Sequence, residues 1–574
     1  MDIKLLQRRV RVALGQEPGD LLLTGGSVVN VFTTRIEPAN VLICDGVIAA
    51  VGPGSWPARE TRDVAGKFIL PGLIDSHMHL ESTLLMPAEL ARILLPLGTT
   101  ATISDSHEIG NVHGLRGIDL LIEASEGLPF DLFFVASSCV PCTRWEHAGA
   151  TIGPKEVGEL LKRPRVLGLA EMMDFPAILA SDEGALAKVA EAVEQGRPVD
   201  GHAPRLTGRD LIAYVSTGIN SDHESETVEE ARAKAALGML VQVREGSLAH
   251  NLDALLPLLA SGELGDDWTL VTDDILPTDL LRHGHLDGLL RRVVAAGVTP
   301  GQAVRHASLV PARHYGLTNR GAIAPGYRAD LVTMNDLKDF KVHEVYKDGR
   351  LVARDGVCLA ELSPSNMPFE NSVHIADLGE QDFRLAVSSP SCPVIRIVPG
   401  QLVNCLEHQQ VNVHDGCWVF DAERDAVLIA SIERHHRTGN VGRGLVGGFT
   451  FHEHGAIGSS VAHDSHNLVV AGTNARDMVV CARALAEKGG GFVVAAGGEV
   501  RAFVPLPIAG LLSRESALVV RDQLDQAHRV AASLGVRIEN PFGVLSFLAL
   551  PVIPELRVTD QGVWNVLRQE FVRM

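Results

Sequence analysis

No run of 18 apolar residues occurs in this chain, which excludes a membrane-crossing helix as a reading of it. Basic residues are in deficit: 51 Lys and Arg face 70 Asp and Glu, a formal net charge of −19. Nucleic acids and anionic membrane surfaces both call for a basic patch, so neither is expected as a partner. A small neutral or cationic substrate suits the balance better. Eight cysteines over 574 residues form no dense framework, and a reducing compartment fits them better than secretion. The one close pair, Cys139 and Cys142, has Pro141 between its members and no second CxxC, and reads as buried or loop thiols. The opening MDIKLLQRRVRVALGQEPGD lacks a long apolar core before a small-residue cleavage site and reads as a short helix on a soluble, cytoplasmic protein. Internal repeats and low-complexity tracts are missing too.

What is present describes an enzyme. A hydrophobic content of 46% with 56 glycines fits a compact fold rich in tight turns, and the length requires several domains. Residues 1–66 read as an N-terminal helix and the first part of a β-sandwich, because apolar stretches alternate with Gly and Asn turns (LLLTGGSVVN, NVLICDGVIAAVG). The same texture returns over 321–362 (APGYRADLVTMND, VHEVYKDGRLVARDG), which supplies the second part. Between them, over 67–320, apolar strands alternate with helix-like segments: FILPGLID (68–75), TTATISD (99–105), FDLFFVAS (130–137), VLGLAE (166–171), PVDGH (198–202), GINSD (218–222), MLVQVRE (239–245) and WTLVTDD (268–274). Eight βα units in a row predict a (β/α)8 barrel with its active site at the C-terminal strand ends. SPSNMPFENS then reads as a linker, and 363–574 as an additional C-terminal α+β domain.

Six potential metal ligands close successive apolar runs: His77, His79, Glu171, His202, His223 and Asp273. A lone His at a strand end is usually a hydrogen-bonded structural residue. Four His and two carboxylates at one barrel mouth are a metal centre, enough for two divalent cations with a position left for water. Ligands without thiolate suit Zn, Mn or Fe(II), and ligand type alone does not separate them. A hydroxide bridging two such cations is a hydrolytic nucleophile at neutral pH. Asp273, the last ligand, is placed to take the proton of that water and pass it to the leaving group.

A second polar group surrounds the first. Glu81, Asp105, His107 and Glu108 either solvate loops or, at the barrel mouth, orient His ligands, bind substrate nitrogens or hold a further cation. In VAHDSHNLVVAG, His463, Asp464, His466 and Asn467 crowd into five positions. They form either a turn with an N-cap at Asp464 or a cluster that reaches across to line the substrate pocket.

The motifs PGLIDSHMHLES, GTTATISDSHEIGNV, LAEMM, DGHAP, INSDHE and VTDD, with GGFTFHEHGAIGSSVAHDSHN in the last domain, resemble the adenine deaminases of the amidohydrolase superfamily. The resemblance runs from about residue 20 to the C-terminus. It implies hydrolysis of adenine to hypoxanthine and ammonia, a step of purine salvage, at a binuclear Mn or Fe centre. It makes His77, His79, Glu171, His202, His223 and Asp273 the ligands, with Glu171 in place of the carbamylated lysine of related centres and Asp273 as proton shuttle. Glu81 or a member of the SDSHE cluster then protonates the ring nitrogen N1, and Asp105, His107, Glu108, His463, Asp464 and His466 bind substrate. A homodimer is expected. SDSHE departs from the family's common ADPHE, and VTDDILPTDLL lacks the usual basic residue after the Asp pair. A different cyclic amide or amidine hydrolase, dihydroorotase-like or imidazolonepropionase-like, is the competing expectation. It would want an arginine near a strand end, and Arg205 is the candidate.

Overall fold

Gly72 divides the run FILPGLID between two sheets in the computed structural model, which describes residues 2–363 and 369–574. Phe68–Pro71 pairs antiparallel with Leu331–Met334 and parallel with Ser27–Asn30, in the sandwich. The first barrel strand, β1, is Leu73–Met78. The expected single strand over 68–75 is therefore two elements. The reason is local: a Cβ at position 72 would lie 2.1 Å from Thr100 Oγ1, so only glycine lets the chain cross from one sheet to the other there.

The other barrel strands follow the sequence reading closely: β2 Thr99–Asp105, β3 Asp131–Ala136, β4 Val166–Met172, β5 Val199–Gly201, β6 Ser221–Asp222, β7 Leu240–Arg244 and β8 Trp268–Val271. All ladders among them are parallel, β1 to β5 in one run and β6 to β8 in another. β1, β2 and β4 are buried along their whole length, as parallel strands covered on both faces must be. Asn220 N–H bonds the Val199 carbonyl at 3.0 Å, joining the two runs on one side. On the other, a parallel bridge between Met78 and Asp273 closes the ring.

Flanking pieces build the sandwich as expected. Gly19–Thr24, Asn40–Cys44, Val47–Gly52 and Ala58–Asp63 form a four-stranded sheet. A seven-stranded sheet combines Ser27–Asn30, Arg35–Pro38 and Phe68–Pro71 with four strands between Leu331 and Cys358. Leu21, Leu23, Val41, Ile43, Ile69 and Leu331 fill the space between. The N-terminal helix, Ile3–Ala13, is capped by the Asp2 side chain.

Beyond the linker, of which residues 364–368 lie outside the described ones, an eight-stranded sheet spans Ser391–Ile397 to Glu499–Pro505, covered by the helix Ala475–Lys488. Residues 460–467, which carry HDSHN, connect two of its strands, Ala456–Ser459 and Leu468–Gly472. No helix begins at Asp464, so the cap reading of that cluster is set aside. A three-stranded sheet, Leu556–Val572, follows the short helix Pro541–Phe547. This domain sits on the loops that follow the barrel strands. Trp564 stacks on Trp145 at 4.4 Å between centroids, His147 Nδ1 meets Asp560 at 2.6 Å, and Ser513 N–H bonds the Leu84 carbonyl at 2.8 Å.

Candidate metal centre

Each of the six ligand candidates lies at the end of its strand or in the first residues after it, and the barrel brings all six together. His79 Nε2 is 3.1 Å from Asp273 Oδ1 and 3.3 Å from Glu171 Oε1. His77 Nε2 is 3.4 Å from Asp273 Oδ1. Across the mouth, Glu171 Oε2 meets His202 Nδ1 at 2.6 Å and His223 Nε2 at 3.2 Å. His77 and His223 stack face to face, 4.0 Å between centroids. Two three-residue groups emerge, His77 with His79 and Asp273, and Glu171 with His202 and His223, and His79 approaches Glu171 between them. Asp273 adopts left-handed backbone (φ 59°), which Asp tolerates better than most residues. Its N–H bonds the His77 carbonyl at 3.0 Å while its carbonyl accepts from His79 N–H at 3.3 Å.

Electrostatics fit cations at this position. The cavity over the cluster, about 30 Å³, is lined by six carboxylates (Glu108, Glu171, Glu224, Asp273, Asp274, Asp464) and one arginine, Arg244. Buried charge of one sign is untenable unless cations or protons compensate it. Burial by itself would lower the imidazoles of His77 and His79, yet the carboxylates outweigh it, Asp200 and Asp273 at His77 and Asp274 and Asp273 at His79, and raise both well above the usual range. Burial would likewise raise Glu171 and Asp273, but His202 and His223 hold the first, and His77, His79 and Arg244 the second, well below the ordinary carboxylate range. Each shift marks a place that draws positive charge to itself. Buried atoms without a hydrogen-bond partner concentrate here as well, among them His77 Nε2, Asp105 Oδ2, His107 Nδ1 and Glu108 Oε2.

The second polar group divides. His107 Nδ1 stands 3.1 Å from Asp105 Oδ2 and 3.8 Å from Glu171 Oε1, and His79, Asp105, His107 and Glu171 make a further four-residue group. Glu108 accepts from Ser82 Oγ at 3.1 Å and stands 3.5 Å from His463 Nδ1. Glu81, behind them, accepts from Ile109 N–H at 3.1 Å with Oε1 and leaves Oε2 unpartnered. Burial pushes its carboxyl up to about 7. His463 and Asp464 line the cavity, the latter 3.6 Å from His107 Nε2. His466 does not line it: its Nδ1 accepts from Ala462 N–H at 3.1 Å, within its own loop.

The Adenine deaminase C-terminal domain family matches residues 401–570, and the Amidohydrolase family matches 68–352. An adenine deaminase of Desulfatibacillum aliphaticivorans is 43% identical over 98% of this chain and 99% of its own length. Adenine deaminase 2 of Carboxydothermus hydrogenoformans is 41% identical over 98% of both. The chain belongs to the adenine deaminase family. Among solved structures, a dihydropyrimidinase of Brevibacillus agri NCHU1002 covers 59% of this chain and 96% of its own at 17% identity and a TM-score of 0.46, too distant to bear on function.

Three groups of this adenine deaminase family member escape sequence reasoning. Asp200, inside β5, accepts from His77 Nδ1 at 2.8 Å and fixes that ring, a common arrangement behind metal-binding imidazoles. Arg244, at the end of β7, forks onto Glu224 and reaches Asp273 Oδ2 at 3.0 Å. Arg205, the arginine that sequence singled out, is two-thirds exposed and pairs with Glu226 instead. The third group is apolar: Leu402, Phe547, Leu550 and Ile553, all within the matched C-terminal domain, close the cavity from above. Nothing in their local sequence marks them.

Proposed function

We propose that this chain deaminates adenine hydrolytically to hypoxanthine and ammonia, with His77, His79, Glu171, His202, His223 and Asp273 holding two divalent transition-metal ions. Family membership supports the reaction, and the observation that carries the site is the convergence of four imidazoles with Glu171 and Asp273 at ligand distances, beside a cavity lined by six carboxylates. Mn or Fe is our choice of metal, with Zn admitted by the same donors. When bound, such ions supply Lewis acidity and bring a water near neutral pKa.

The chain's residues do the rest. Asp273 takes a proton from the attacking water as the C6–O bond forms. Glu81, whose carboxyl burial raises to about 7, donates through Glu108, which lines the cavity, to N1 so that the ring accepts the electron pair. Asp273 returns its proton to the exocyclic nitrogen, the C6–N bond breaks and ammonia leaves, and the proton remaining on the new C6 oxygen passes back to the Glu81 carboxylate; water and adenine thus balance hypoxanthine and ammonia. Glu108, His463, Asp464 and His107 face the base, and Asp105 orients His107. Arg244 is neutralised by Glu224 and Asp273, which leaves no unpaired arginine or lysine among the cavity's lining residues for the carboxylate of a dihydroorotate-like substrate. Phosphate would meet Glu108, Asp274 and Asp464, carboxylates that this assignment gives neither metal nor arginine, so charge disfavours nucleotides. We place the enzyme in the cytoplasm as a homodimer serving purine salvage, a state that light scattering tests.

Ammonia release from adenine, adenosine, AMP, cytosine and dihydroorotate at equal metal loading tests the reading. Adenine should have the highest kcat/KM by more than tenfold. A preference for adenosine or dihydroorotate overturns the substrate; a protein that is active with no metal overturns the centre.

A further inference from the structure

Two large cavities, of about 900 and 930 Å³, approach the small one over the metal cluster, and residues 400–403 line both of them. Leu402 faces all three. At about 30 Å³ the inner cavity is small, and the apolar residues above it bound the space in which a flat base would be held. Those residues come from two stretches far apart in sequence: the connection between Ser391–Ile397 and Asn404–Gln410, and the end of the helix Pro541–Phe547 with the loop that follows it. Dispersion alone, being non-directional, does not fix the relative position of two such segments.

Arg557 does. It is 1% exposed, on the strand Leu556–Thr559, and among the described residues no carboxylate pairs with it. Its guanidinium is spent on backbone carbonyls. Nη2 donates to Leu402 at 2.7 Å and Pro554 at 2.9 Å, Nη1 to Phe547 at 3.0 Å, and Nε to Ile553 at 2.7 Å. Three of those four residues, Leu402, Phe547 and Ile553, line the inner cavity. One planar fork therefore ties together the pieces of the roof, and a burial this costly calls for a return.

We infer that Arg557 is a positioning residue for the substrate: it sets the height and shape of the apolar roof through the carbonyls of Leu402, Phe547 and Ile553, and so governs affinity for the base without touching metal or substrate. The inference rests on the adenine deaminase reading. Lysine cannot replace it, because an ammonium offers three donors from a flexible point and lacks the fork.

The test uses the metal-loaded full chain as wild type, Arg557→Lys, Arg557→Met and Leu402→Ala. Expected are a KM for adenine raised at least tenfold in Arg557→Lys and further in Arg557→Met, with kcat within threefold and metal content per chain unchanged. Discrimination between adenine and adenosine should narrow as the roof loosens. Leu402→Ala should raise KM in the same direction, and it decides together with Arg557→Lys should Arg557→Met fail to fold. A metal-replete Arg557→Lys with KM within twofold of wild type overturns the inference. So does a loss confined to kcat in proportion to the folded fraction, which a purely structural role would give. Wild type inactive on adenine would instead sink the underlying function, leaving the two failures distinct.

Discussion

The floor and the roof of the proposed active site are built by opposite means. The floor gathers imidazoles and carboxylates from the ends of β1, β4, β5, β6 and β8, each delivered by a strand that is already in register with its neighbours. The roof gathers Leu402, Phe547, Leu550 and Ile553 from loops and a helix end of another domain, joined by an arginine that bonds only backbone. Chemistry demands exact donors, and regular strands supply them; substrate fit demands a shaped apolar surface, which irregular segments supply once something holds them. The two should fail differently when altered: the floor in turnover, the roof in binding.

Stripping metal with a chelator tests the floor most severely. Activity on adenine should fall to background and return with Mn(II) or Fe(II) but hardly with Mg(II), which prefers an all-oxygen shell; elemental analysis should track the recovery. Asp273→Asn comes next, with kcat down ~10²–10⁴-fold and KM little changed, since an amide cannot take the proton. A drop of less than tenfold puts the base elsewhere. Glu81→Gln should reduce kcat by about 10², the smaller share of a single proton donor, and an unaltered rate would assign N1 protonation to Glu108 or to solvent. His463→Ala, on the roof side, should show the smallest effect, about a tenfold rise in KM from lost stacking and hydrogen bonding at the base. If it instead abolished kcat, the division between floor and roof would not hold at His463.

Legibility in the sequence follows the same division. Strand ends are short-range features: β2 coincides with its apolar run, 99–105, and all six floor residues terminate such runs, so spacing alone exposes them. Asp200 and Arg244 hide because each sits in a strand where a charged residue reads as an ordinary solvated face, and only the closed barrel turns them inward. The split at Gly72 hides because the apolar run continues through it; the crowding comes from Thr100, on the next strand. Roof residues carry no periodic or polar signal at all. His463 and Asp464 stand out by composition, yet their partners, Glu108 and His107, are assigned only by the tertiary fold.

The seam at Met78 and Asp273 has a temporal meaning. The first and last barrel strands meet there, and the backbone bonds that close the ring run through His77, His79 and Asp273 themselves. During synthesis, a nascent chain that has emerged only as far as β7 holds two histidines of that triad and lacks the third member, so it has no complete nest for an ion. Only when residue 273 leaves the ribosome and zips against β1 does the full set exist. An ion held by that triad, unlike one held by Glu171, His202 and His223, would thereby mark a barrel whose ring has closed.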